Sequence, residues 1–384
     1  MNASGLKKNG RTFGGRASAM IIACLAAAAT ADTHHVPLGG DIQAALDEAQ
    51  PGDIVLLAAG TYEVGTIQLR DEVELRGADP RNGLTSEPLT TLSSNGSSRV
   101  LECSQSYISI IVRDLKIVNT NGVGLASHEG ASGAVSNCWF LDSKSATTLA
   151  KGTWTFDDCV FSRNGPGWSF GGSCGAVGLD IGPTGGTQQV TFTRCAFEDN
   201  ASGYSGGAIR SKWGGLIIDD CIFRRNRATE GSAISFSQTM QPVEIRDSLF
   251  EHNSSGGGTI YTLPSLGRVI LNCRFRSNYG ASGRADISGP VYPADCTFNT
   301  CCTVDPNAAA GHGNVWEHPG GDTTYAMCGL CRCDFNCNGS VGPDDLGSLL
   351  GAWGTTDSRF DLDENGAVDP SDLGNLLASW GTCP

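Results

Sequence analysis

The apolar positions of this chain recur in a short frame, not in long helical stripes. The clearest copy lies at residues 218–226 (IDDCIFRRN), whose core is Cys221-x-Phe223-x-x-Asn226. The frame returns with Cys159, Phe161 and Asn164, with Cys195, Phe197 and Asn200, and with Cys273, Phe275 and Asn278. Ser248 takes the cysteine's place before Phe250 and Asn253, and weaker copies begin at Cys138 and Cys296. From Cys138 onward the steps are 21, 36, 26, 27, 25 and 23 residues. A unit that returns every ~20–30 residues is a structural repeat. Residues two apart share one face of a strand, so Cys and Phe are expected to point inward together. The residue between them varies freely: Val160, Ala196, Ile222, Arg274. Asn falls where the strand should end, and its side chain suits a turn. A second signal follows each Asn: GGAI at 206–209, GSAI at 231–234 and GGTI at 257–260. Each reads as a glycine turn feeding another short strand. A repeat of two or three short strands and no helix predicts a parallel β-helix, in which a coil buries its face only against its neighbours.

Ahead of the repeats, residues 41–49 predict a short amphipathic helix. Ile42, Ala45, Leu46 and Ala49 fall on one face, and Asp41 is placed to cap the N-terminus. Pro51-Gly52-Asp53 then turns into IVLLAAGTYE, IQL and VELRG. This stretch resembles the start of pectate-lyase-like right-handed β-helices, which implies that the helix covers the open end of the first coil. Leu115 and Ile117 stand where later repeats have Cys and Phe. The β-helix is expected over residues 32–302, with about ten coils and a rod of about 50 Å at the ~4.8 Å strand spacing. Over residues 156–278 the alternating F-x-x-N and GGAI signals also resemble the repeats of bacterial polymorphic outer-membrane proteins, which are surface adhesins. That likeness speaks to architecture more than to activity.

Composition adds a location. The chain has 52 glycines, 17% charged residues and 40% apolar ones, as expected of a turn-rich β protein. Lys7, Lys8, Arg11 and Arg16 precede the apolar run 17–29, and Ala29-Thr30-Ala31 offers a cleavage site before Asp32. Residues 1–31 therefore read as a signal peptide, implying a secreted or cell-surface protein. No later segment is apolar for long enough to cross a bilayer. Cleavage removes four cations and no acids, taking the net charge from −14 to −18, which argues against nucleic acid as a partner. The sixteen cysteines divide in two. Those of the repeat frame should stack inside the coil as small apolar residues. Cys301, Cys302, Cys328, Cys331, Cys333, Cys337 and Cys383 lie beyond it. Export favours disulfides over zinc for this second set.

Residues 303–327 lack periodicity and read as a linker. In the last segment, 328–384, DFNCNGSVGPDDLGSLLGAWGT is echoed 27 residues later by DLDENGAVDPSDLGNLLASWGT. Each copy opens with D-x-[DN]-x-N-G, a loop whose alternate oxygens can surround calcium while the sixth residue, Gly, makes the sharp turn. The expected ligands are Asp334, Asn336, Asn338, the Ser340 carbonyl and Asp345 in one loop. In the other they are Asp361, Asp363, Asn365, the Ala367 carbonyl, Asp372 and a water held by Asp369. Residues 334–384 hold nine acids and one Arg, in keeping with two cations. Leu346, Leu349, Leu350 and Trp353, and likewise Leu373, Leu376, Leu377 and Trp380, fall on one face of each following helix and are expected to form the module's core. The duplicated loop and helix, with the closing WGTCP, resembles a dockerin of the GC type. The resemblance implies a small α-helical calcium-binding module that docks onto a cohesin-like or cell-surface partner, and whose ends lie close together, so that Cys383 could clasp to Cys333 or Cys337. Pro343-Asp344 and Pro370-Ser371 stand where dockerins usually carry small hydroxyl residues for cohesin contact.

Candidate chemistry on the rod is sparse. The GGAI strands expose Arg210, Lys212, Ser235, Ser237 and Tyr261, with Asp180 from the preceding coil. An acid beside Arg or Lys could act on a uronic acid, or be an ordinary surface ion pair. Asp157-Asp158 and Asp219-Asp220 are adjacent, so the members of each pair are expected to point apart. Trp168 and Tyr261 could stack on sugar rings. Two functions follow. One is an exported surface protein that binds carbohydrate or another surface ligand and is anchored by a calcium-dependent dockerin. The other is a polysaccharide lyase or glycoside hydrolase delivered by that dockerin. With no acid/base pair evident, the first is preferred and no catalytic residue is assigned.

Overall fold

The computed structural model describes residues 31–79, 87–94, 98–119, 121–165, 174–180, 188–237, 242–262, 268–280 and most of 286–299. In the C-terminal region it describes 340–355 and much of 360–382, with a few isolated positions between. Residues 1–30 of the expected signal peptide, Trp168, the expected linker apart from 315–316, Cys296, and all of the second cysteine set except Cys333 lie outside these residues.

The chain folds as a mainly β, parallel solenoid. Among the described residues three parallel sheets, in the order the chain visits them, hold eleven, eleven and nine strands, each strand pairing with its counterpart one coil away. One coil shows the plan. Gly215–Asp219 lies in the first sheet, Ile222–Arg224 in the second and Ile234–Ser237 in the third. The registers superpose like residues: Phe140 on Phe161, Phe161 on Phe197, Phe197 on Phe223, Phe223 on Phe250, Phe250 on Phe275. Their rings form a column with centroids 4.6–5.1 Å apart and planes within 9° of parallel. Ile117 extends that position toward the N-terminus, as the sequence predicts, by pairing with Phe140.

The repeat cysteines are packing thiols. Cys138, Cys159, Cys195, Cys221 and Cys273 are buried. The Cys221 thiol donates to the carbonyls of Phe192 and Asp219 at 3.5 and 3.2 Å, and its sulfur accepts the Cys195 N–H at 3.4 Å. Burial pushes the Cys138 thiol up to about 12, so it stays protonated and unreactive. Ser248 does the same work in its own coil, donating to the Arg246 carbonyl and accepting the Cys221 N–H.

Asn226 differs from the simple turn residue that the sequence predicts. The left-handed residue is the one before it, Arg225, with φ 53°. Asn226 itself is fully buried and points along the rod. Its Nδ2 donates to the Phe197 carbonyl and to Asn253 Oδ1, while its Oδ1 accepts from the backbone N–H and Nδ2 of Asn200. The same links join Asn164, Asn200, Asn226, Asn253 and Asn278, and the buried Asp286 ends the series by accepting from Asn278 Nδ2. Backbone groups that a corner would leave unpaired are satisfied this way.

The capping helix forms as predicted. α1, Ile42–Glu48, buries Ile42 and Leu46, and Asp41 accepts the Ala44 N–H at 3.0 Å. Beyond the rod, α2 (Pro343–Gly351) and α3 (Pro370–Ala378) share a small core with Val341, Leu349, Leu362, Val368 and Leu376. Ser340–Val341 pairs antiparallel with Gly381–Thr382. Leu346 and Leu373 pack against this core, but Leu350, Trp353, Leu377 and Trp380 are exposed. The predicted single apolar face is wider than a module this small can cover, so each helix buries only one edge of it.

The two columns give different substitution costs. Cys221→Ser should cost less than about 1.5 kcal/mol, since serine already fills this slot at residue 248. Asn226→Ala should cost about 3 kcal/mol, because the Asn200 donors and the Phe197 carbonyl are left buried and unpaired. Urea unfolding midpoints of the two variants check the order; equal costs would refute the ladder's role.

Candidate functional site

Outward positions of the third sheet form one column fixed by strand register. It runs Gln68, Glu102, Ala126, Thr148, Gly178, Arg210, Ser235, Tyr261. The predicted residues fall here: Arg210, Ser235 and Tyr261 in this column, with Asp180 opposite Lys212 and Lys212 opposite Ser237 in the next. The Asp180 side chain lies outside the described residues. Ser235 is 4% exposed, so it is covered and not displayed, against expectation. At Gly178 the column is interrupted. A Cβ there would come within 2.8 Å of Cys174 Sγ, which fills the space above the strand.

On the N-terminal side of this block the structure gathers a cluster that the sequence did not reveal. Glu102 is 9% exposed. Gln68 Nε2 donates to its Oε2 at 2.8 Å, and Arg99 Nη1 donates to its Oε1. His128 Nε2 lies 3.5 Å from the same Oε1, with half of the His128 side chain exposed. Gln68 is held from beneath by Gln43 of α1, which exchanges hydrogen bonds with the Gln68 backbone. Gln68 Oε1 is buried with no hydrogen-bond partner among the described residues. Burial raises the Glu102 pKa, but the Gln68 hydrogen bond, the Arg99 charge and the His128 contact outweigh it. The carboxyl is held below 4.5 and stays ionised.

An exposed aromatic stands beside this cluster. Tyr107 is 82% exposed and adopts φ 62°, a left-handed conformation that costs an aromatic residue on the order of 1–3 kcal/mol. Its ring lies against Gly130, where any Cβ would meet the ring at 2.7 Å. Gly130 is two residues from His128, and His128 N–H is bonded to the Cys103 carbonyl. Two stacked loops thus join Tyr107 to the Glu102 cluster. Glu129, also in this loop, is paired with Lys151. The set offers an apolar platform, amide and guanidinium donors, and an imidazole facing an ionised carboxylate. Such a set can hold a hydroxylated or carboxylated ring and can exchange a proton with it. These coils lack the Cys-x-Phe frame, which drew attention to later repeats. The available signal was spacing: His128 follows Glu102 by 26 residues, about one coil.

The adjacent acids correct another expectation. Asp157 and Asp158 do not diverge; both reach Arg194, at 2.6 and 2.9 Å. Asp158 has φ 51°, so strand alternation has ended and the side chains converge. They make a corner ion pair, and they are not two carboxylates set across a substrate.

In the C-terminal module Asp334, Asn336, Asn338 and Asp361 lie outside the described residues. Asp345 and Asp372 are fully buried. Asp345 accepts the Gly342 N–H at 2.9 Å, while Asp372 accepts the N–H groups of Leu362, Asp363 and Asp369. The Asn365 amide nitrogen lies 3.1 Å from both Asp363 Oδ2 and Asp369 Oδ2, and Asn365 Oδ1 accepts the Ala367 N–H. Among the described residues no three His, Cys, Asp or Glu side chains gather closely enough to hold an ion. The side chains expected as ligands offer oxygen donors, the kind that suits calcium and not zinc. Cys333 is buried with its sulfur 3.6 Å from the Asn375 carbonyl, while Cys337 and Cys383, the other members of the expected clasp, lie outside the described residues.

These features define a right-handed parallel β-helix. A sequence model described as the right-handed β-helix region matches residues 151–312. Among solved structures, pectin methylesterase from Aspergillus niger is 16% identical, with a TM-score of 0.42 over 64% of this chain and 85% of that one. The catalytic unit of a family GH87 α-1,3-glucanase from Streptomyces thermodiastaticus is 14% identical, with 0.39 over 75% and 69%. An alginate lyase of family PL6 is 17% identical, with 0.28 over 76% and 41%. These likenesses are of fold. No curated protein sequence matches the chain.

Glu102 has a lowered folded pKa, so its contribution to stability is present above about pH 4.5 and lost as pH falls through the folded value. Glu102→Gln should flatten the acid side of the stability profile below pH 4.5. Acid-unfolding curves of the two proteins check this; identical curves would count against the cluster.

Proposed function

We propose that this is an exported β-helix protein that binds a polysaccharide on the outward face of its third sheet and is held in place by a calcium-loaded C-terminal module. The observation that carries the binding part is the Arg99–Glu102–His128–Gln68 cluster beside the exposed Tyr107. Polar groups already locked by neighbours need little ordering when a ligand arrives. A flat exposed ring next to fixed donors and acceptors suits a sugar, which presents one apolar face and a rim of hydroxyls. A long glycan also fits the geometry of a solenoid, whose surface repeats along one axis.

Anchoring is supported by the two loops of oxygen-bearing residues in the sequence and by the exposed Leu350, Trp353, Leu377 and Trp380, which repeat on and just after α2 and α3. The partner is a cohesin-like or cell-surface receptor, and two calcium ions would complete the loops. A second reading, a uronate lyase, rests on His128. Its imidazole faces Glu102 and lies near Arg99, so it could remove a proton from a uronate while the cation screens the sugar carboxylate.

The full chain, in calcium, can be run through gels containing polygalacturonate, alginate, or neutral α- and β-glucans. Retardation by at least one is expected, weakened about tenfold by Tyr107→Ala and by Arg99→Ala, each removing about 1.4 kcal/mol. Failure of every glycan to retard it, or binding indifferent to both substitutions, would reject the site. Release of unsaturated sugars that disappears with His128→Ala would establish the lyase in place of the binder. Calorimetry on the chelated chain should return two calcium sites, and finding none would remove the anchoring module.

A further inference from the structure

A carboxylate in the first coil, which the proposed glycan site does not use, is held by several donors. Asp53 is 7% exposed and follows the Pro51-Gly52 turn. Its Oδ2 accepts the Gln50 N–H at 2.8 Å and lies 3.1 Å from His34 Nε2. Its Oδ1 accepts the backbone N–H of Asp32 at 2.9 Å. Asp32 is also the residue directly after the Ala29-Thr30-Ala31 cleavage sequence. The Asp32 carbonyl accepts the Ile54 N–H at 2.9 Å, so this residue is already the first rung of the first sheet. Strand Thr33–Val36 continues in register on Ile54–Leu57.

We propose that export processing occurs between Ala31 and Asp32, and that Asp53 is a preformed receptor for the α-ammonium group so created. Water adds across the Ala31–Asp32 peptide bond under an export peptidase. It leaves a carboxylate on Ala31 and an amine on Asp32, which is protonated at neutral pH. Before cleavage the Asp53 carboxylate receives a neutral amide N–H; afterwards the same position carries a positive charge. A charge-assisted hydrogen bond is about twice as strong as a neutral one. Processing therefore fastens the edge strand that begins the rod, at the end where a bare sheet is most exposed to fraying or foreign pairing.

The surroundings agree. The Gln50 and Asp32 backbone donors and the His34 contact hold the Asp53 carboxyl down at about 2, so it is ionised wherever the amine is charged. His34 is the titratable neighbour from the first strand, and Asp32 contributes its own exposed carboxylate. Glu74, on the next strand, is engaged by Arg76 and Arg113. An opposite charge raises the pKa of an amine. The ammonium thus adds stability fully present below its unfolded value near ~7.7–8.0 and lost as pH rises through the raised folded value.

The test begins with the N-terminal sequence of the exported full chain. Asp32 is the expected first residue, and a start at any other position overturns the proposal. The α-amine of a chain of residues 32–384 is then dimethylated with ¹³C, which keeps its charge, and titrated by NMR. A pKa above the ordinary ~8 is expected, returning to about 8 in Asp53→Asn. A chain extended by Ala31 alone supplies the same control without touching the fold: its amine should titrate normally. Its heat-unfolding midpoint should lie about 2–4 °C below that of the processed chain at pH 7, with the gap closing at high pH. His34→Gln should preserve the gap. An ordinary pKa in the processed chain, or no difference between the two chains, refutes the receptor role even if cleavage falls where expected.

Discussion

Everything in the rod depends on parallel pairing of each coil with the next at one strand spacing. Under that constraint a residue's main neighbour is the residue at its own position, one coil away. Phenylalanine then meets phenylalanine, as in the column from Phe140 to Phe275, and offset stacking makes the repetition favourable. Asparagine meets asparagine, which works because an amide both donates and accepts. At one corner charged residues alternate in sign from coil to coil, the left-handed positions pairing Arg163 with Asp142 and Arg225 with Asp199. Pairs this exposed contribute at most about 1 kcal/mol each. Their value lies in avoiding a column of like charge.

The same rule explains what could be seen without coordinates. Cys221, Phe223 and Asn226 were legible because each must match its copies, so periodicity carries the information. Residues chosen to differ from their neighbours leave no such trace. Glu102, His128 and Tyr107 each occur once, in coils where Leu115 and Ile117 have replaced the frame. Their meeting depends on a register of about 24–26 residues that no local motif marks. The expected divergence of Asp157 and Asp158 fails for a related reason. Alternation holds only inside a strand, and a left-handed residue at the corner reverses it. Ser235 shows the limit of counting inward and outward positions: it points away from the core and is covered all the same.

The C-terminal segment obeys different physics. Two nine-residue helices have too little area to hide eight large apolar side chains, so half of them stay outside. Its order comes from caps: Asp345 and Asp372, buried carboxylates fed by backbone N–H groups, fix where each helix begins. Rod and module thus reach specificity by opposite routes, one by repeating a contact many times and the other by focusing several donors on one acid.

The asparagine ladder has a direction. Each side-chain amide passes a hydrogen bond toward the C-terminus and receives one from the coil before, so the series resembles a chain of dipoles laid head to tail. Such a chain needs a terminus, and Asp286 supplies it. A carboxylate can take the last hydrogen bond from Asn278 and has none to hand on. The ladder is therefore closed where it stands, and a duplicated coil spliced in after Asn278 would need its own amide before it could be read as part of the same column. Gene duplication can lengthen this rod readily between Asn164 and Asn278, but not past the acid that ends it.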